Sequence, residues 1–288
     1  AVAEVGGLAL FGGQVAVGVS GVLMQCLLRN PLASPDLMGV SNGAGFAVML
    51  GLVAAERFGA GVGVQGATPT AISACLGALG ALGLVWFLAR KGLGGLAGSG
   101  VVTLALVGVA VSFALASATM LVQHLLTDRG LSASRWLLGF LSEDLSTTTL
   151  AGIAAVVLGG VGVAWRMGRA MDALSMGEEH AWGVGVPVAR VRLALFLLSG
   201  VLAAAGVLLA GPVGFVGLIA PHLVRLAMGP RHGPLVVGSA LCGGAMVVAS
   251  DTLIRVLPLG TGRLPLGVVT SLIGAPILIW MLRKGMRH

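Results

Sequence analysis

The sequence predicts an all-α, polytopic transmembrane helical bundle, and three observations predict it. Of its 288 residues 57% are hydrophobic and only 9% charged, where a soluble domain carries about 25% charged residues. Too few charges are present to cover an aqueous surface, so lipid is the expected solvent, and the mean hydropathy of +1.04 agrees. The apolar residues fall into runs of span length, since a crossing helix needs about 20 of them. The basic residues fall into short clusters between those runs. A net charge of +7 would suggest nucleic acid in a soluble protein, but this clustering makes topology the better reading and nucleic acid no partner. The 48 glycines sit inside Leu/Val/Ile/Ala runs, where small residues let helices approach closely.

In chain order the expected spans are 5–28, 38–55, 67–89, 100–125, 148–165, 192–211, 213–228, 234–257 and 265–282. Gly211-Pro212 breaks the sixth from the seventh, and the seventh is short. A short or broken helix is tolerated in a bilayer where protein buries it or a cavity adjoins it. Placing the C-terminus inside puts 12 basic residues on the cytoplasmic side (Arg29, Arg90, Lys91, Arg166, Arg169, Arg190, Arg192, Arg225, Arg231, Arg283, Lys284, Arg287). Five remain outside: Arg57, Arg129, Arg135, Arg255 and Arg263. That asymmetry is the positive-inside pattern. Trp86, Trp165 and Trp280 then fall near inner span ends, as interfacial anchors. The first residue is Ala1 with no basic run before the apolar segment, so no signal peptide is expected. An odd span count suggests that an upstream span is missing.

Two connections are long. The outer one, 126–147, carries Trp136, Glu143 and Asp144 and is expected to form a surface helix. The inner one, 166–191, is charged and carries helix signals. Ser175 and Glu178 have capping-box spacing, and Gly183, Gly185 and Pro187 stop a helix. One or two short helices at the cytoplasmic surface are expected.

Other motifs weigh less. Gly39-Val40-Ser41-Asn42-Gly43 fits the hydrolase nucleophile elbow, but no strand precedes it and no histidine can be paired with Ser41, so Ser41 and Asn42 read as helix caps. An intramembrane serine hydrolase is the third-ranked class. Gly92 to Ala97 only loosely resembles a dinucleotide fingerprint, and no G-x-x-x-x-G-K-[ST] occurs, so any ATP is bound by a partner. Cys26, Cys75 and Cys242 lie in apolar runs without metal spacing, implying buried thiols, no disulfide and no metal. Asp251 and Arg255, four apart, can neutralise each other; Asp251 as a proton relay would mark the runner-up class, an ion-coupled secondary transporter. Gln14 and Gln25 are expected to be interhelical hydrogen bonders, with pathway lining as the alternative.

Four segments together are more specific: SGVLMQCLLRNPLASPDLMGVSNGAG at 20–45, ALSMGEEHAWGVGVPVARVR at 173–192, GPVGFVGLIAPHLVRL at 211–226 and LPLGVVTSLIGAPILIWMLRK at 264–284. In this order and spacing the chain resembles the FecCD family of ABC importer permeases, which serve iron-siderophore, heme and cobalamin systems. The resemblance implies the type II importer fold with ten spans, of which about nine are visible here in a single domain, 1–288. The first span and the arginine-bearing segment before the second are absent.

The resemblance also implies the partners: a second permease copy (homodimer) or a homologous permease, two cytoplasmic ATPases, a periplasmic or lipoprotein binding protein, and membrane lipid. ATP and Mg belong to the ATPases, so this chain binds no cofactor and no metal and has no catalytic residue. The matched coupling segment, 172–186, carries Leu174, Gly177, Glu178, Glu179, Ala181 and Gly183. Arg255 matches a residue that docks the binding protein, and the nearby Arg263 is expected to assist. Asn30, Pro31 and Pro35 form the matched inner turn. Gly214, Gly217, Pro221 and His222 form the short-span motif, with Pro221 and His222 at the turn ending that span and His222 structural. Siderophore permeases are the commonest group of the family, so ferric siderophore is the expected cargo, with heme or cobalamin beside it. The location implied is the bacterial or archaeal cytoplasmic (inner) membrane.

Overall fold

Helix α1 (Val2–Leu28) runs through the middle of the molecule, and its glycines explain why. In the computed structural model, which describes residues 2–58, 67–89, 99–125, 147–256 and 266–285, a methyl group at Gly21 would overlap the Gly217 carbonyl, and one at Gly18 the Ser239 carbonyl. At Gly13 it would stand 3.2 Å from the Gly206 carbonyl oxygen. Three helices thus reach α1 backbone to backbone, the approach that small residues permit in a bilayer.

The remaining helices follow in chain order. A 3-10 turn at Pro35–Met38 leads into α2 (Val40–Phe58), α3 (Ala67–Ala89), α4 (Ser99–Leu125) and α5 (Thr147–Arg166). Two short helices, α6 (Gly168–Ser175) and α7 (Glu178–Gly183), precede α8 (Val188–Ala210), α9 (Val216–Met228), α10 (His232–Val256) and α11 (Leu266–Gly285). No strand occurs among the described residues. Every expected span is a helix, with ends shifted by at most four residues. Among the described residues six helices are long and apolar enough to cross a membrane; Val40–Gly51, Val216–Met228 and Leu266–Ile279 are shorter apolar stretches.

α1 packs against α5, α8, α9 and α10, while α2, α3 and α4 form a second group joined to it through α8. Gly43 of α2 and Gly77 of α3 face each other, each in the space the other's side chain would need. The apolar window of α1 is 67% buried, against 17% in α4 and α5. α1 is therefore the hub, and α4 and α5 turn leucines and valines such as Leu106 and Leu158 toward lipid.

Helix α9 has 13 residues, about 20 Å of rise against a hydrocarbon core of about 30 Å, so it crosses only part of the membrane. Its entry turn is sharp: Gly211 (φ 69°) ends α8, and Phe215 (φ 69°) precedes α9 in the left-handed region. Pro221 and His222 do not form the turn at the end of this span that the resemblance implied. They lie in mid-helix, and α9 continues to Met228. Proline has no N–H to donate four residues back, so the Gly217 carbonyl lacks that helical partner and faces Gly21 of α1 instead.

Four further expectations need correction. Ser41 and Asn42 are not caps: the Ser41 hydroxyl donates to the Asp36 carboxylate, and Asn42 Nδ2 donates to Ser112 Oγ at 2.7 Å and Ser112 O at 3.1 Å. Ser175 does not cap α7; it closes α6 by donating to the Asp172 carbonyl at 2.7 Å, and Gly177 stands at the N-cap without a side-chain bond. The cysteines are free but half-buried rather than buried. Trp86 is a core residue as much as an anchor, since its ring packs 5.5 Å from that of Phe196. The Trp280 side chain, outer connection 126–146, Gly92 to Ala97 and Arg263 lie outside the described residues and side chains.

Candidate functional site

The cytoplasmic end of α1 gathers the residues that the matched segments singled out. Arg29 follows α1 with φ 48° and turns the chain out of the helix. Asn30 then accepts a bond from the Leu32 N–H at 2.9 Å through its side chain, the local ring that makes Asn a turn residue. The turn folds back so that Pro35 Cδ lies 3.2 Å from where a Cβ of Gly217 would stand. The inner turn (Asn30, Pro31, Pro35) and the start of α9 are thereby one packed unit. Gly214 lies apart from it, in the α8–α9 turn, with Ser271 of α11 as its neighbour.

Segment 168–187 sits against this unit. Leu174 and Ala181 are its buried apolar contacts. Gly177 takes φ 123°, a conformation that a side chain would strain, and this bend separates α6 from α7. Glu179 and Gly183 are exposed, and nothing lies within 4 Å of a Cβ built on Gly183. Glu178 turns inward. Its Oε1 accepts from Arg192 Nη2 at 2.6 Å and lies 3.3 Å from Arg29 Nη2. Arg192 is 4% exposed at the side chain and Glu178 11%. One carboxylate thus ties the end of α1, the start of α7 and the start of α8 together. At the other end of the segment Asp172 Oδ1 accepts from the His232 backbone N–H at 2.9 Å and lies 2.7 Å from His232 Nδ1, which fixes α6 to the start of α10.

These partners were missed in the sequence, where Arg29 and Arg192 counted only as inner charges. A signal existed: Arg192 opens an apolar span, a buried guanidinium needs a carboxylate, and Glu178 and Glu179 are close by in the chain. Gln25 is the expected interhelical bonder, donating to Leu218 O at 3.3 Å and accepting from Arg225 Nη2 at 2.9 Å. Gln14 is not: it is fully buried, and neither side-chain polar atom has a partner. His222 is half-buried in α9. At the outer end, Arg255 Nε donates to Asp251 Oδ2 at 2.7 Å, four residues apart as expected, and Arg255 is exposed. Asp36 is pushed above the usual carboxyl range by burial, opposed by its bond to Ser41.

A bundle of this kind, with a half-crossing helix and a clamped cytoplasmic segment, belongs to the class of polytopic transport proteins. A family model described as the FecCD transport family matches residues 7–284. The hemin transport system permease protein HmuU of Yersinia pestis is 34% identical, over 93% of this chain and 78% of that protein. The vitamin B12 import system permease protein BtuC of Vibrio cholerae is 38% identical, over 93% of this chain and 77% of that one. A solved chain described as a metal-chelate type ABC transporter in an inward-facing conformation superposes with a TM-score of 0.82 at 28% identity, covering 98% of this chain and 87% of its own. The chain belongs to the FecCD transport family. It is a multi-pass permease subunit of an ABC importer in the cytoplasmic membrane, and it works in a complex with ATPase and binding-protein partners. Nothing in the fold or the relatives favours the ion-coupled alternative.

Proposed function

We propose that segment 172–186 is the mechanical coupling element of this permease, and that a metal chelate, with ferric siderophore first and heme or cobalamin beside it, is the cargo. The observation that carries the coupling is the Glu178 clamp. Exposed Glu179 and Gly183 offer the cytoplasmic contact surface, while Glu178 passes displacement of α7 directly to the ends of α1 and α8. Ser41 and the other described residues supply no chemistry: ATP hydrolysis with Mg belongs to two partner ATPases. The functional unit is a dimer, of two copies or of one copy with a homologous permease, with the pathway between them. Arg255, exposed at the outer end of α10, docks a periplasmic or lipoprotein binding protein, with Arg263 assisting.

The cargo reading rests on kinship. The relatives' names cover hemin, vitamin B12, Fe(3+)-citrate and ferric enterobactin. The coupling is tested by Gly183→Trp. Because the site is open, the variant is expected to fold and assemble with its ATPase, hydrolyse ATP, and lose uptake. Wild-type uptake by that variant would remove Gly183 from the coupling surface.

A further inference from the structure

A cavity of about 410 Å³ opens at the cytoplasmic end of the groove between α5 and α10, within the range of about 300–1,000 Å³ typical of small-molecule sites. Three guanidinium groups, Arg166, Arg169 and Arg231, line it, against the single carboxylate of Asp172. That carboxylate is already engaged by His232. Arg166, Arg169 and Arg231 are exposed, and their side chains make no hydrogen bond or ion pair among the described residues. The cavity therefore carries uncompensated positive charge, a poor design for a structural cluster and a good one for an anion. Trp165 completes the wall. Its indole Nε1 lies 4.0 Å from the position of a Cβ on Gly233, which also lines the cavity, and Trp165 is 57% exposed.

We propose that this cavity is a binding site for the headgroup of an anionic phospholipid of the cytoplasmic leaflet. The surface below the cavity selects a lipid over a free anion. Val237 and Leu241 continue from Pro234 along one face of α10, at helical spacing, and are exposed. Leu158, seven residues before Trp165 and so on the same face of α5, lies exposed on the other side of the groove. The arginines take the phosphodiester, as guanidinium groups do. Trp165 sits at the headgroup level where indoles settle, and the two apolar faces take the acyl chains. Basic pockets between spans on the cytoplasmic side are suited to such headgroups. Each arginine near an anionic surface contributes about fivefold in affinity; the Asp172 carboxylate offsets one of the three, so the preference for phosphatidylglycerol over phosphatidylcholine is about twentyfold.

The test uses the full-length permease assembled with its ATPase in nanodiscs. Bromine-labelled phosphatidylglycerol or phosphatidylcholine is doped at low mole fraction, and Trp165 quenching is obtained as the difference between the wild type and Trp165→Phe. The same is done for Arg166→Gln/Arg169→Gln/Arg231→Gln, and inorganic phosphate is added as a competitor. Selective quenching by phosphatidylglycerol, lost in the triple variant and unmoved by phosphate, is expected. Equal quenching by both lipids overturns the site. So does quenching that inorganic phosphate abolishes, which would make it a free-anion site. Loss of the ATPase from the triple variant with lipid selectivity intact would also overturn it, since the cavity would then be a protein contact. Thermal unfolding of the triple variant checks that any loss is local.

Discussion

Replacing Glu178 by glutamine removes the charge that three elements share. At 2.6 Å and an effective dielectric of about 20, the attraction to Arg192 is about 6 kcal/mol, of which the desolvation of two nearly buried ions offsets a large part. The Arg29 contact adds less, about 0–1 kcal/mol, because that side chain is 37% exposed and screened. Losing one partner leaves the Arg192 guanidinium in a buried place without its carboxylate, which costs about 3 kcal/mol. Arg192→Met leaves Glu178 with only the more exposed Arg29 as its partner. The double variant strands neither, so it is expected to be more stable than the sum of the single losses by about 2 kcal/mol. Denaturant unfolding of the four proteins in mixed micelles measures the cycle. In proteoliposomes the Glu178→Gln permease is expected to hydrolyse more ATP per cargo moved, since α7 would slip relative to α1 and α8. Additive losses in the cycle with an unchanged ATP-to-cargo ratio would refute the clamp.

Three other outcomes follow from the same geometry. Gly21→Leu places a side chain into the Gly217 carbonyl, and it is expected to lower stability by about 3 kcal/mol or to block assembly; Gly80→Leu, with open space around it, serves as the control. Arg255→Glu faces Asp251 with a like charge. It is expected to lower the binding-protein stimulation of ATPase activity at low salt by about tenfold with basal hydrolysis unchanged, read as a coupled ATPase titration; an unchanged titration would remove Arg255 from docking. Pro221→Ala restores an N–H that can bond Gly217, and it is expected to raise helix stability slightly while weakening the α1–α9 contact, seen as faster hydrogen exchange in α9.

The spans were legible because lipid imposes a one-dimensional rule: about 20 apolar residues per crossing. Hence 67–89 and 148–165 agree with α3 and α5 almost to the residue. The cytoplasmic helices at 168–175 and 178–183 were legible from the glycines and proline that end them. What a sequence does not carry is distance. Nothing links Arg29 to Glu178 until the fold brings them within 3.3 Å. Gln14 and Gln25 lie in the same helix with the same chemistry, yet only Gln25 meets Arg225 and Leu218, because α9 passes one end of α1 and not the other. Pro221 misled for a related reason. The turn there was implied by the resemblance, whereas a neighbouring backbone in a bilayer lets the helix run on past a proline.

The central claim is that this chain imports a metal chelate by moving with a partner ATPase. The most direct measurement is uptake of labelled ferric siderophore, ferric heme and cobalamin into proteoliposomes containing the full-length permease, its ATPase and its binding protein, with and without ATP. ATP-dependent uptake of one of the three, abolished by Gly183→Trp, is the predicted result. Uptake indifferent to ATP but driven by a proton gradient, and lost in Asp251→Asn, would contradict it.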